Sequence, residues 1–149
     1  MPISNTHMGQ PEVNHVTLEA IGTDPKEDPC ETGIDFVRIH PDGSEDPVPP
    51  FFRVPAGKVF VVTDVDWQYA GGQPRGTQTF RIMLRGGVLP RVFESTIILN
   101  DSGDGGISEG MTSGFVVASG GGFCVDTSPG GGNISHVVIR GYLCRQSGA

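Results

Sequence analysis

Apolar and polar residues alternate with a period of two along much of this chain. IDFVRIH, residues 34–40, sets Ile34, Phe36 and Arg38 on one side and Asp35, Val37 and Ile39 on the other, as in a half-buried strand. VFVVTDVDW, 59–67, sets Val59, Val61, Thr63, Val65 and Trp67 against Phe60, Val62, Asp64 and Asp66. TQTFRIMLRG places Phe80, Ile82 and Leu84 opposite Thr79, Arg81, Met83 and Arg85. Further short apolar runs occupy 12–21, 88–99, 111–119, 122–126 and 133–144. None of them repeats at the 3.6-residue period of an amphipathic helix. GTDPKEDPCETG, PDGSEDPVPP and YAGGQPRG separate the runs and read as loops. About nine short strands punctuated in this way predict an all-β fold, an antiparallel β-sandwich of jelly-roll type.

A length of 149 residues suits one domain. Residues 1–50 form its acidic, loop-rich N-terminal part and 51–144 its main sandwich. The 23 glycines and 12 prolines follow no repeat, which excludes collagen. No apolar run is long enough for a membrane-spanning helix. The opening MPISNTHMGQPEVNHV has neither the basic nor the apolar region of a secretory signal. Cytoplasmic, virion-surface and mature secreted placements all remain compatible with it.

Charge is unevenly distributed. Residues 1–50 hold ten acids and two bases, and residues 51–149 hold seven acids and eight bases, within a net charge of −7. Such a chain is a poor nucleic-acid partner, since phosphate neutralisation needs clustered Lys and Arg. Arg75, Arg81, Arg85 and Arg91 do cluster, in one predicted hairpin, with no acid between Asp66 and Glu94. They suit a small anion such as sulfate, phosphate or an acidic sugar, or a partner surface. The acidic segment 24–46, from the same chain or a neighbouring subunit, is the alternative occupant.

Three cysteines, Cys30, Cys124 and Cys144, leave at least one thiol unpaired within the chain. If the strands FCVD and GYLC pair, Cys124 and Cys144 lie close enough for a disulfide; otherwise all three act as small buried hydrophobes. No C-x-x-C is present, and no His spacing matches a zinc or cupin site.

VPAGKVFVVTDVDW, SGFVVASGGGFCV and SHVVIRGYL resemble segments of small bacterial β-sandwich proteins of unassigned function. The shared features are the turn Pro55-Ala56-Gly57-Lys58 feeding a strand and the closing Gly141-Tyr142-Leu143. The resemblance covers residues 51–144 and implies a fold, without functional residues. Similar turns occur in trimeric jelly rolls of the tumour-necrosis-factor type and in phage surface proteins, by analogy only.

NDSGDGGISEG, 100–110, concentrates oxygen ligands and admits three readings. As a calcium loop it would use Asn100, Ser102, Asp104 and Glu109, although Met111 stands where an EF-hand needs its bidentate Glu. As a nucleophile elbow, Gly106-Ile107-Ser108-Glu109-Gly110 matches G-x-S-x-G in letters, without the α/β context that makes the turn work. As a hairpin tip, its glycines supply positive φ and its Asp and Ser side chains bond nearby backbone.

The favoured reading is a non-enzymatic binding or structural module that self-associates. The faces bearing Phe60, Val62, Phe80, Phe115, Val117 and Val138 offer more apolar surface than one small sandwich needs to hide. A closed homo-oligomer, most simply a trimer, would bury the surplus. The alternative is a calcium- or anion-dependent carbohydrate-binding module that takes a glycan, and a serine hydrolase built on Ser108 is a remote third. No cofactor other than calcium is suggested.

Overall fold

The computed structural model describes residues 14–22, 34–47, 51–84 and 91–146. They form eight strands: β1 (His15–Gly22), β2 (Ile34–Ile39), β3 (Lys58–Ala70), β4 (Thr77–Leu84), β5 (Arg91–Ile98), β6 (Gly105–Val117), β7 (Phe123–Ser128) and β8 (Asn133–Arg145). Two antiparallel sheets result. One has the order β2-β1-β8-β3-β6 and the other β5-β4-β7.

The order is that of a jelly roll, in which one long hairpin folds over itself. β4 pairs with β5 at the tip, β3 with β6, and β1 with β8. β2 and β7 come next to each other, with the rings of Phe36 and Phe123 6.1 Å apart, edge to face. β2 nevertheless hydrogen-bonds to β1 and completes the five-stranded sheet.

The core lies between the sheets. From the larger sheet come Val16, Leu18, Phe36, Phe60, Val62, Val65, Trp67, Tyr69, Val117, Val137 and Ile139, all buried. Phe80, Ile82, Phe123 and Val125 come from the smaller one. Burying each large side chain contributes about 1.5–3 kcal/mol. Trp67 stacks on Phe80, with centroids 5.0 Å apart, and its indole N–H donates to Ser95 Oγ at 3.1 Å. That bond satisfies a polar group that would be costly to bury unpaired.

β3 departs from simple alternation. Its register slips between Val62 and Asp64 against both neighbours, which makes Thr63 a bulge. A bulge inserts one residue and reverses the side to which those after it point. Phe60 and Val62 therefore face the same core as Val65, Trp67 and Tyr69, and Asp64, Asp66 and Gln68 face outward. The expected grouping of Val59, Val61 and Thr63 with Val65 and Trp67 is corrected accordingly.

The two lateral sides of the sandwich differ. At the β2 edge, Asp46 N donates to Arg38 O at 3.0 Å and Phe52 N to Phe36 O at 3.1 Å. Glu45 bridges Ile39 as well. The chain thus covers its own edge, which protects it from further pairing. At the opposite side, β5 and β6 each have one strand neighbour among the described residues.

Candidate functional site

Three connections converge at one end of the sandwich: 71–76 between β3 and β4, 99–104 between β5 and β6, and 129–132 between β7 and β8. Gly72 N donates to Gly103 O at 2.9 Å, Arg75 N to Asn100 O at 3.0 Å, and Leu99 N to Gly76 O at 2.8 Å. Gly132 N donates to the Tyr69 hydroxyl at 2.9 Å, and Gln78 Nε2 to Pro129 O at 2.7 Å. Gly103 has φ +80°, and a Cβ there would lie 2.1 Å from Gly72 O. Only glycine fits so close to a neighbouring backbone.

The 100–104 turn is held by its own side chains. Asn100 Oδ1 accepts the amides of Ser102 at 2.8 Å and Asp104 at 3.0 Å. Asp104 Oδ1 accepts Gly71 N at 3.0 Å. This is the Asx-turn chemistry of the hairpin-tip reading. The tip is shorter than expected, because β6 begins at Gly105.

That early start decides how residues 106–110 are seen. Gly106 pairs with Gln68, Ser108 with Asp66 and Gly110 with Asp64, all facing outward. Ile107 and Glu109 pair with Trp67 and Val65 and face the opposite way. The segment that spells G-x-S-x-G is therefore a strand with a Gly-Ser-Gly outer face, not an elbow. Ser108 Oγ donates to Asp66 Oδ2 at 2.5 Å, with no base between them.

Such small outward residues leave a trough along β6. It has a volume of about 650 Å³ and is lined by Asp66, Gln68, Asn100, Asp104, Ser108 and Ser135, with Gly105 and Gly106 in its floor. Ser135 reaches it through a register shift: β8 pairs His136 with Gln68 and Ile134 with Tyr69, leaving Ser135 between them. A period-two run of Gly and Ser on a strand is the sequence signal for this trough, but the hairpin-tip reading of 100–110 treats it as loop.

The four calcium candidates do not converge. Asn100 and Asp104 line the trough and Ser102 is exposed beside it, whereas Glu109 leaves β6 on the other face. Among the described residues, no group of three or more His, Cys, Asp or Glu side chains is arranged to hold a metal ion.

Arg75 belongs to the 71–76 connection beside the 100–104 turn, whereas Arg81 and Arg91 lie elsewhere. Arg81 sits on the outer face of the smaller sheet, opposite Glu94 on β5 and Asp126 on β7. Its Nε is 3.8 Å from Glu94 Oε1 and its Nη1 3.4 Å from Asp126 Oδ1. Its Nη1 also donates to Ser128 Oγ at 2.9 Å. Arg91 Nη1 is 4.0 Å from Glu94 Oε2, and Arg75 Nε is 3.7 Å from Asp101 Oδ1 in a fully solvated pair. Each of these three arginines has a carboxylate near it, none of them from segment 34–46. Arg85 and residues 24–33 lie outside the described residues.

The proposed Cys124–Cys144 disulfide is not formed. β7 and β8 belong to different sheets: Cys124 pairs with Met83 and Cys144 with Val59. Cys144 is a free thiol, while Cys124 is disulfide-bonded. Cys30 lies outside the described residues.

The expected apolar surplus is also placed differently. Phe60, Val62, Phe80 and Val117 are fully buried within the chain, and Val138 is nearly so. The exposed large hydrophobics among the described residues are Ile98, Ile107 and Val116, at 74%, 37% and 55% exposure. All three stand on β5 or β6, where Val92, Phe93, Ile97, Met111 and Phe115 are only partly buried. No family model, curated protein or solved structure matches the chain, so the functional reading rests on this geometry alone.

Proposed function

We propose that the protein is a non-enzymatic structural module that self-associates through its open β5/β6 side. One observation carries the reading. Every large exposed hydrophobic of the described residues stands on these two strands, each of which has a single strand neighbour among the described residues. Exposed apolar surface beside unpaired strand edges favours association. β6 has 13 residues, or about 40 Å of strand, and two sheets with their outer side chains are about 20 Å deep. That side offers about 800 Å² per subunit, the size of a standard interface. A closed ring or dimer would hide it and leave the converged loops outward.

Sedimentation velocity tests the proposal. The wild-type protein should sediment as a closed homo-oligomer. Ile98→Asp combined with Val116→Asp should return it to the monomer with little change in melting temperature, because both side chains are more than half exposed. A monomeric wild type at high concentration, or an unchanged oligomer in the double variant, would refute it.

A further inference from the structure

Beyond self-association, we infer that the trough along β6 binds a neutral carbohydrate, a sugar ring laid over Gly106 and Ser108 with its hydroxyls against the polar wall. Its volume of about 650 Å³ lies within the range of small-ligand sites. Its lining offers hydrogen-bonding capacity that the fold does not consume. Gln68 and Ser135 make no side-chain hydrogen bond among the described residues. Asp66 uses one carboxylate oxygen for Ser108, and Asp104 uses one for Gly71 N. Each keeps a second oxygen. Asn100 uses its oxygen and keeps its amide donors.

Acceptors and donors thus both line a shallow depression, and vicinal hydroxyls, each both donor and acceptor, can bond to either kind. The groups are also held in place before a ligand arrives. Asp66, Asn100 and Asp104 are each fixed by a bond to the protein, which lowers the entropy lost on binding.

Charge narrows the ligand class. Two carboxylates and no Lys or Arg line the trough, so phosphates and acidic sugars are repelled. A bare divalent cation lacks a third acidic ligand among the described residues. Ala70 and Ile107 add a small apolar patch beside these polar groups, enough for the apolar face of a sugar ring and too little to cover a lipid chain. This leaves a neutral polyhydroxylated ligand.

The experiment is a titration followed by amide ¹H–¹⁵N spectra, with lactose, maltose and cellobiose as neutral probes and glucose 6-phosphate as the anionic comparator. At least one neutral disaccharide should give saturable shifts confined to 66–70, 100–108 and 135. Glucose 6-phosphate should bind more weakly or not at all. Asp66→Ala should weaken the neutral sugar about tenfold, the loss of a hydrogen bond to a charged group. Ser108→Tyr, which fills the trough from an exposed strand position, should abolish the shifts and leave the melting temperature unchanged. No saturable shift with any of the three disaccharides would overturn the inference. Equal binding of glucose 6-phosphate, or binding unaffected by Ser108→Tyr, would do the same. The monomeric double variant should bind as the wild type does, which separates this inference from the oligomer test.

Discussion

Gly141 has no room for a side chain. A Cβ there would lie 1.9 Å from Val61 O and 2.8 Å from a Phe60 ring carbon. The backbones of β3 and β8 meet at this point, beside the Thr63 bulge, with Gly141 opposite Val62. A backbone oxygen in a central strand cannot move aside. Gly141→Ala should therefore cost about 3 kcal/mol, in line with overpacked cores, and lower the melting temperature by about 10 °C. Gly130→Ala is the control. Nothing lies within 4 Å of its Cβ position, so its effect should stay within about 0.5 kcal/mol. Differential scanning calorimetry on the two variants decides, and equal melts would mean that β8 lies farther from β3 than described. The residue scale also shows how far a sequence can be read. Gly141-Tyr142-Leu143 marks a structural strand by resemblance, but the reason for its glycine sits on β3, some 80 positions earlier.

Strands were legible where both faces kept strict alternation and misread where they did not. β4 kept it as far as Ile82, with Phe80 and Ile82 buried and Arg81 facing outward; beyond it a register shift against β5 leaves Met83 buried and Leu84 only partly so. β3 lost its phase at Thr63, and no residue type there announces a bulge, because bulges answer to the neighbouring strands. The Gly105–Gly110 half of β6 reads as loop in the sequence, since its glycines are poor strand formers; pairing to β3 overrides that preference. The arginine hairpin was visible, but its partners were not, because cross-strand register brings Glu94 and Asp126 to either side of Arg81. This row carries an element-scale prediction. Both acids are substantially solvent-exposed, at 49% and 40%, so the pairs are screened and modest. Arg81→Leu should cost about 1 kcal/mol at low salt and less in molar salt, where both the lost attraction and the remaining Glu94–Asp126 repulsion are damped. Urea denaturation at the two salt levels measures it. A loss that does not fall with salt would mean that packing of the Arg81 stem, not charge, holds this face together.

At the scale of the whole molecule, the sheets are joined through aromatic rings. Trp67 contacts Phe80, Phe80 contacts Phe93, Phe93 contacts Phe115 and Phe115 contacts Phe123, which also meets Phe36 and Phe60. The path crosses between the sheets several times and visits strands from β2 to β7. Composition revealed the eight phenylalanines, but their connection depends on pairing between strands far apart in sequence. Phe123 is the junction. Removing its ring should cost about 3–5 kcal/mol through lost burial and the cavity left behind. That is a large share of a typical total of about 5–15 kcal/mol. Because Phe123 on the smaller sheet touches β2, β3 and β6 of the larger one, both sheets should lose stability together. Trp67, the single tryptophan, reports from the far end of the path, while far-UV circular dichroism reports all strands. In Phe123→Ala both signals should shift to the same lower urea midpoint, and Phe123→Leu should shift both less, keeping the test readable if the alanine variant does not fold. Midpoints that separate, with Trp67 fluorescence unmoved while circular dichroism falls, would mean that the core is two clusters and that the rings do not couple the sheets.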